Sequence, residues 1–263
     1  MHAPKSSPVP WLEDGEPLPP VDQAHGPHEV MSGLLAASAN IGMNRLVQAY
    51  RRGVFPWYSA GQPVLWWCPD PRMVLTTAHF KLHRSLRKTI SRGLTDGSLQ
   101  VHMDSAFIDV IEACAQTPRR GQRGTWIQAE LIEAYAALHR SGLAHSVEVY
   151  AHERLVGGLY VVNIGHMVYG ESMFSRQTDA SKIALAALVA FCRAHDMPVI
   201  DCQQETPHLA SMGAMPVHRD AFLDAVTELV APSLAPPQWV FHPQLWAQLD
   251  TRLYPIASVP EAA

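Results

Sequence analysis

The sequence predicts an α+β fold, and three observations support that prediction. From residue 145 onward, three short runs of alternating apolar residues are separated by tight turns, which is typical of an antiparallel meander. The run over 180–195 that follows is apolar nearly all round, so we expect a buried helix there. The chain has 263 residues with 48% apolar side chains, which is enough for a core of one large or two small domains.

The first third of the chain predicts a short helix followed by two strands. Residues 44–52 carry apolar positions at helical spacing, with Asn44 as the expected cap and Gly53 after the last turn. Short apolar runs over 64–68 and 73–75 flank a Pro-Asp-Pro break, and we expect a strand on each side of it.

Residues 79–91 predict an amphipathic helix with a basic face. Leu82, Leu86 and Ile90 recur at helical spacing and form its apolar stripe. The opposite stripe carries the four cations Lys81, Arg84, Lys88 and Arg92. No acid occurs between residues 71 and 95, so these cations and their neighbours form a local basic surface of six charges on a nearly neutral protein.

The remaining elements follow from the same rules of spacing. Helices are expected over 105–115 and 128–141, the second ended by Gly142. After them we expect the meander strands 145–150, 155–162 and 167–174, the buried helix 180–195, a strand over 198–201, and helices over 208–212 and 220–230. Strand ends that open beside a helix are the expected place for a site.

Both termini differ in composition from the rest of the chain. Residues 1–30 carry one lysine against five acids, which accounts for the whole net charge of −4, together with seven of the 21 prolines. The last 33 residues hold six more prolines, so we expect extended or loosely packed arms at both ends. The composition therefore predicts a Pro-rich acidic arm over 1–30 and a Pro-rich tail at the other end.

Several classes of function are disfavoured by what the sequence lacks. No apolar run reaches the ~20 residues of a membrane span, and the first ten residues lack the apolar region of a secretory signal, so a cytoplasmic protein is expected. The four cysteines are far apart without a C-x-x-C pair, which favours reduced thiols over disulfides or zinc. Phosphate-loop, dinucleotide, nucleophile-elbow and zinc-protease signatures are missing. We therefore expect neither a cofactor nor a metal.

Six segments carry more Trp, Gly and paired polar groups than a fold requires. They are residues 50–58 (YRRGVFPWY), 65–72 (LWWCPDPR), 124–127 (GTWI), 145–149 (HSVEV), 170–175 (GESMFS) and 200–203 (IDCQ). In these segments and their order the sequence resembles the leucyl/phenylalanyl-tRNA–protein transferases, from about residue 33 to residue 213. It departs from that family in the segment before the first helix, which reads ASANIG over 37–42 instead of the usual G-G-D-L-S cap.

The resemblance implies a fold and a reaction. Such enzymes have a small N-terminal domain followed by a domain similar to the GNAT acyltransferases. The resemblance therefore implies a small N-terminal domain over 31–71 and a GNAT-like catalytic domain over 72–263 with a Pro-rich tail. The predicted order of strands and helices agrees with that second domain. They transfer Leu, Phe or Met from aminoacyl-tRNA to proteins beginning with Arg or Lys, which marks those proteins for degradation by the N-degron pathway. Residues 175–181 lack the glycines of a pyrophosphate loop, so a coenzyme A donor is disfavoured.

The resemblance also implies where the donor binds. Trp57 and Trp126 match positions that sandwich the 3'-terminal adenine, although composition alone allows two core tryptophans. Five apolar residues match the acyl pocket, and without the resemblance each would be ordinary core: Leu159, Val168, Leu185, Leu188 and Cys192.

The matched catalytic positions are Asp201 and Gln203. By the two-residue period of a strand both face one side, and in the family Gln203, polarised by Asp201, contacts the attacking amine. The alternative for Asp201 is a carboxylate that caps a loop. Glu171 is the candidate for binding the basic first residue of the acceptor, against a structural ion pair with Arg176 or Lys182.

The basic surface is assigned to the phosphates of the tRNA acceptor stem, through Lys81, Arg84, Arg87, Lys88 and Arg92. The alternative is a solvated helix face. Two rival functions stay open on the residues alone: a GNAT-shaped acyltransferase that uses another donor, and a non-catalytic RNA-binding module.

Overall fold

Two β-sheets organise the chain in the computed structural model, which describes residues 8–117, 128–231 and 237–254. The smaller sheet has four strands in the order β1-β2-β4-β3, where β1 is Trp11–Leu12, β2 Leu34–Ser38, β3 Phe55–Pro56 and β4 Val64–Trp67. The larger has seven strands in the order β11-β5-β10-β9-β8-β7-β6. These are β5 Arg72–Thr76, β6 Leu99–Met103, β7 Ala144–Ala151, β8 Arg154–Ile164, β9 Met167–Ser175, β10 Val199–Gln203 and β11 Met215–Val217.

Seven α-helices connect or cover the strands in the described residues. They are α1 Met43–Tyr50, α2 Arg84–Thr95, α3 Phe107–Gln116, α4 Ala129–Arg140, α5 Ala180–Ala194, α6 Pro207–Ser211 and α7 Arg219–Leu229. Short 3-10 turns lie at Val21–Gln23, Thr77–His79 and Pro243–Gln248.

The predicted α+β order is confirmed at the level of elements. β7, β8 and β9 pair antiparallel as a meander, and α5 follows them with most of its residues buried. Strands β1, β2, β3, β6 and β11 were not predicted. β1, β3 and β11 have only two or three residues each, and β6 is buried only at its end and carries a weak apolar signal. The peptide bond between Asp70 and Pro71 within the predicted break is cis.

Two predicted helix starts are wrong. α1 is capped by Gly42 instead of Asn44, which lies inside the helix. α2 begins at Arg84, so the five residues from His79 that were assigned to it are not α-helical. The N–H of Lys81 donates to the carbonyl of Met212 at 2.9 Å, and a Cβ on Gly213 would lie 2.3 Å from the carbonyl oxygen of His79. Residues 79–83 are therefore held against residues 212–213, after α6, and cannot form the first turn of α2.

The large sheet separates two apolar clusters. The first core contains α3, α4, α7 and the small sheet, and it receives Tyr160 and Val162 of β8. The second core contains α2, α5 and the residues around 239–253, and it receives Leu159 and Val161. Alternate β8 side chains therefore serve opposite faces, as the period of a strand requires.

The described part of the acidic arm packs against the rest of the protein, contrary to the expectation of a loose arm. Trp11–Leu12 pairs parallel with β2, and Leu12 and Leu18 are buried. Two arginines of the α1 region hold it through backbone carbonyls: Arg45 donates to Glu13 and Glu16 at 2.6 and 2.9 Å, and Arg52 donates to Leu18 and Pro19, both at 2.6 Å. These contacts could not be inferred from the proline content.

Residues 237–254, which we term the C-terminal segment, also pack against the body of the protein. Trp246 and Leu253 are buried in the second core. The indole of Trp239 stacks on the ring of His145 with centroids 4.0 Å apart. The expectation of a loose tail is wrong for this segment, because its large apolar side chains give it enough surface to bury.

Candidate active site

A cavity opens where β9 and β10 separate. The two strands run parallel and their last paired residues are Tyr169 and Asp201. Beyond that point β10 has a bulge, and Gln203 takes a positive φ of 61°, a conformation that non-glycine residues rarely adopt. The space between the diverging strands has a volume of about 660 Å³. The strand end that the sequence indicated as a site is therefore where the sheet opens.

The cavity reaches both faces of the large sheet. On the side of the first core it is lined by Phe55, Trp57 and Tyr160, and on the side of the second core by Leu159, Leu185 and Leu188. Glu171 and Gln203, from the two separating strands, contribute polar groups to its wall. One compartment is thus aromatic and polar, and the other is aliphatic.

Asp201 forms a buried ion pair with Arg72 of β5. Both side chains are 0% exposed, and two bonds join them: Nε to Oδ1 at 2.8 Å and Nη2 to Oδ2 at 2.6 Å. Phenyl rings of Phe55 and Phe222 lie on the guanidinium, with centroids 4.6 and 4.5 Å from Cζ. Burial alone would lower the pKa of Arg72, but the attraction of Asp201 outweighs burial and raises it. Arg72 therefore stays ionised.

Glu171 is the second buried carboxyl of the site and has no cation against it among the described residues. It is 7% exposed and accepts hydrogen bonds from the hydroxyl of Tyr135 at 2.8 Å and from Nε2 of Gln203 at 3.1 Å. A further hydrogen bond links the hydroxyls of Tyr135 and Tyr50. Burial raises the pKa of Glu171 from 4.5 to about 7, although the hydroxyl donors act in the opposite direction.

The expected contact from Asp201 to the amide of Gln203 is replaced by a backbone bond. Oδ1 of Asp201 accepts from the N–H of Gln203 at 2.8 Å, whereas the side-chain amide of Gln203 turns to Glu171. The two-residue period failed here because the bulge between the two residues breaks it. Asp201 therefore fixes the backbone of the bulge, and Glu171 orients the amide.

Neither ion pair considered for Glu171 is formed. Lys182 pairs with Asp179 at 2.7 Å. Arg176 donates to the carbonyl of Leu155 at 3.3 Å and lies over the ring of Phe174. Glu171 therefore lines the cavity and accepts hydrogen bonds from neutral donors.

The five predicted acyl-pocket residues are all buried, and three of them reach the cavity. Leu159, Leu185 and Leu188 line it. Val168 and Cys192 are buried in the second core behind that wall and are not among the lining residues. Burial raises the pKa of the Cys192 thiol, so it stays protonated. Gly157 of β8 allows α5 to pack closely on the sheet, because a Cβ on Gly157 would lie 2.5 Å from that of Ala180 at the start of α5.

Of the two predicted stacking tryptophans, one can be located. Trp57 lines the cavity, and its ring centroid lies 5.7 Å from that of Trp67, whose Nε1 donates to the Trp57 carbonyl at 2.7 Å. Trp126 lies outside the described residues.

The predicted basic surface is partly rearranged. Arg84, Lys88 and Arg92 are exposed on α2, and Lys81 is exposed in the segment before it. Arg87 is half-buried and pairs with Asp250 at 3.2 Å. Arg72, which was counted with this surface, is buried in the site.

Three further site residues were missed by reasoning from sequence. Arg72 and Tyr135 contact the two carboxyls, as described above, and neither has a local signal because its partner is distant in the chain. His208 lines the cavity, and its buried Nε2 has no hydrogen-bond partner in the described part of the chain. Burial, then the charge of Lys182, lowers the pKa of His208, so the ring is neutral at pH 7.

Comparison with known proteins identifies close relatives. The family model described as leucyl/phenylalanyl-tRNA protein transferase matches residues 74–227, and that of its N-terminal domain matches 43–70. Proteins named leucyl/phenylalanyl-tRNA–protein transferase from Polaromonas sp. and Leptothrix cholodnii are 56% and 57% identical. Each alignment covers 93% of this chain, and 95% and 96% of the respective relative.

Solved structures give a weaker match. L-PGS from Bacillus licheniformis is 7% identical with a TM-score of 0.39, over 75% of this chain and 73% of that one, which is too distant to assign the fold. None of the helices within the described ranges is long and apolar enough to cross a membrane.

Proposed function

The chain belongs to the leucyl/phenylalanyl-tRNA–protein transferase family, and we propose that its reaction takes place in the cavity between β9 and β10. It is an aminoacyltransferase that moves leucine or phenylalanine from aminoacyl-tRNA to proteins. In the proposal methionine is a third donor, and the acceptors begin with Arg or Lys, so that the product carries an N-degron. The observation that carries the proposal is the bonded pair of Glu171 and Gln203 between an aromatic and an aliphatic compartment.

The donor occupies both compartments. The leucyl or phenylalanyl side chain lies against Leu159, Leu185 and Leu188, with Val168 and Cys192 as the packed layer behind them. The terminal adenine stacks on Trp57, with Trp126 as its proposed second partner. The ester carbonyl is thereby placed between the two compartments, near Gln203.

The acceptor approaches from the polar side. Its arginine or lysine side chain pairs with the ionised form of Glu171, which supplies the negative charge that an apolar wall lacks. Because Nε2 of Gln203 is committed to Glu171, the amide oxygen is left to accept a hydrogen bond from the attacking α-amine.

The chemistry is aminolysis of an ester through a tetrahedral intermediate. The amine nitrogen forms a bond to the carbonyl carbon, the bond to the ribose 3'-oxygen breaks, and one amine proton ends on that oxygen. An α-amine with a pKa of about 8 is partly neutral at pH 7, so orientation by Gln203 accounts for more of the catalysis than proton abstraction does. Asp201 acts as a positioning residue, since it holds the bulge that presents Gln203.

The finer structural assignments belong to the same proposal. The strand order and the opening between two parallel strands support a GNAT-like catalytic domain over 72–263, preceded by a small N-terminal domain over 31–71 and the acidic arm over 1–30. We place the enzyme in the cytoplasm, where charged tRNA is available.

The test is transfer of labelled Leu, Phe and Met from charged tRNA to a model protein beginning with Arg, with Gln203→Leu and Gln204→Leu as matched variants. Gln204 also lines the cavity and follows Gln203 directly. We expect Gln203→Leu to lose about tenfold in transfer rate and Gln204→Leu to stay within about twofold. Equal losses would contradict the role of Gln203. No transfer by the unaltered protein would favour another acyl donor or a non-catalytic RNA-binding module.

The tRNA surface has its own test. Lys81, Arg84, Arg87, Lys88 and Arg92 are proposed to meet phosphates and not bases. The double variant Arg84→Ala/Lys88→Ala should therefore weaken binding of leucyl-tRNA and phenylalanyl-tRNA alike. It should also lower the salt slope, the change in log binding constant with log salt concentration, by ~0.9 per lost contact. An unchanged slope would mean that this helix face is merely solvated.

A further inference from the structure

We propose that the C-terminal segment supplies an additional tRNA-binding residue, Arg252, and that the groove between it and α2 binds one backbone phosphate of the tRNA. The groove has a volume of about 380 Å³ and is lined by Arg87, Lys88, Ser91, Arg92, Arg252 and Leu253. The inference rests on the proposed function, because the phosphate is part of the same tRNA. It extends the basic surface beyond α2, to a residue about 160 positions away in sequence.

Asp250 connects the two walls of the groove. Its Oδ2 accepts from Nη1 of Arg87 at 3.2 Å and from Nη2 of Arg252 at 2.6 Å, while its Oδ1 accepts from Nε of Arg252 at 2.8 Å. The bonds of Arg252, followed by that of Arg87, lower the pKa of Asp250, which therefore stays ionised. One carboxylate thus holds two guanidinium groups at a fixed separation.

The groove keeps a surplus of positive charge. Four cations line it. Within the described residues, the carboxylates that interact with these cations are those of Asp250 and of Asp96, which lies just after α2 and interacts with Arg92. Arg252 uses Nε and Nη2 for Asp250, which leaves the donors of Nη1 for a ligand. Its side chain is 68% exposed, so an incoming phosphate can reach it. A phosphodiester fits this surplus, and a guanidinium held in place binds it with less loss of side-chain entropy.

The C-terminal segment is held firmly enough to present Arg252. Leu253, directly after it, is buried in the second core, and Trp246 is buried a few residues before it. Arg193 of α5 also donates to the carbonyl of Gln248 at 2.7 Å. The position of Arg252 relative to α2 is therefore set by packing on both sides.

The experiment measures binding of leucyl-tRNA, without a protein acceptor, across a salt series. The full-length protein is compared with Arg252→Ala, Arg252→Lys and the control Arg140→Ala. Arg140 is an exposed arginine at the end of α4, which packs in the first core on the opposite face of the sheet. We expect Arg252→Ala to lower the salt slope by ~0.9 and to weaken binding about fivefold near 0.15 M salt. Arg252→Lys should keep the slope, and Arg140→Ala should match the unaltered protein.

Two outcomes would overturn the inference and are distinct from failure of the proposed function. If Arg252→Ala binds like the unaltered protein while Arg84→Ala/Lys88→Ala lowers the slope, tRNA binds α2 without the C-terminal segment. If Arg140→Ala weakens binding as much as Arg252→Ala, the effect is one of net charge and not of the groove. If the α2 double variant also has no effect, the proposed tRNA surface itself is wrong.

Discussion

Two buried carboxyls on adjacent strands of one sheet are stabilised in opposite ways. Asp201 on β10 has a guanidinium against it through two hydrogen bonds. Glu171 on β9 has a tyrosine hydroxyl and a glutamine amide, which are neutral donors. The charges of Asp201 and Arg72 neutralise each other. The Glu171 carboxyl has no opposite charge beside it, and burial raises its pKa to about 7.

This difference separates a structural role from a functional one. A carboxylate already neutralised by Arg72 has little attraction left for a cationic substrate, and it is 0% exposed. Glu171 lines a cavity and has no cationic partner, so it can attract a cationic substrate. An arginine or lysine side chain that enters the cavity favours the ionised form of Glu171. This difference supports the proposal that Asp201 positions the bulge of β10 and that Glu171 contacts the acceptor.

The largest expected effect is on folding. Asp201→Ala should lower the free energy of unfolding by ~3 to 5 kcal/mol, because it leaves the charge of Arg72 buried and unpaired. Urea unfolding at pH 7 measures this loss. The double variant Arg72→Met/Asp201→Leu should recover most of it, since no buried charge is left. Stability of Asp201→Ala close to that of the unaltered protein would remove the distinction between the two carboxyls.

The second prediction concerns stability against pH. The folded pKa of Glu171 is raised from 4.5 to about 7, so its contribution is complete below pH ~4.5 and is lost as pH rises through 7. The loss approaches ~3 kcal/mol above pH 8. Glu171→Gln carries no charge at any pH and should therefore become more stable than the unaltered protein between pH 7 and pH 8.5. Urea unfolding of both proteins from pH 4.5 to pH 8.5 is the measurement, and parallel curves over that range would show that Glu171 is not the titrating group.

Much of this site was predictable from sequence, and the exceptions have physical causes. The three meander strands, the buried helix, and the places of Glu171, Gln203 and Trp57 follow from local periodicity and from motif resemblance. The hydrogen-bond partners of the two carboxyls could not be predicted. Arg72, for example, precedes Asp201 by 129 residues, and only strand pairing brings the two together. The bulge at Gln203 contains no glycine that would have indicated it in the sequence. The expected contact between Asp201 and the side-chain amide of Gln203 was therefore placed on a regular strand, which the bulge interrupts.

The packing of the two terminal segments also depends on contacts between residues far apart in the sequence. Proline content predicted loose arms, yet Arg45 and Arg52 hold the acidic arm, and Trp246 and Leu253 hold the C-terminal segment. Composition describes what a segment prefers in isolation, whereas its order is decided by the surface it finds to cover.

The third prediction tests the acceptor contact. Glu171→Gln should lower kcat/KM for acceptors beginning with Arg or Lys by about 10- to 100-fold, since a charge-assisted pair contributes roughly 1.5 to 3 kcal/mol. Transfer to a model protein that differs only in its first residue gives the comparison, and binding of leucyl-tRNA should be unchanged. Glu148→Gln is the matched control: that carboxyl is also buried, accepts from Ser105 and Ser146, and is not among the cavity-lining residues. Equal losses in the two variants would make the effect structural.

The smallest expected effect comes from Tyr135, which donates to Glu171 at 2.8 Å. Tyr135→Phe removes a donor that favours the ionised carboxyl, so the pKa of Glu171 should rise further, by up to about one unit, which corresponds to ~1.4 kcal/mol. The acid limb of kcat/KM for an acceptor beginning with Arg should therefore move to higher pH. The acceptor amine titrates identically with both enzymes, and its contribution cancels in the ratio of the two profiles. Tyr150→Phe, on β7 and away from the cavity, should leave the profile in place. A Tyr135→Phe profile that coincides with the unaltered one at every pH would mean that the protonation of Glu171 does not govern use of the acceptor, and the functional side of the comparison would have to be reassigned.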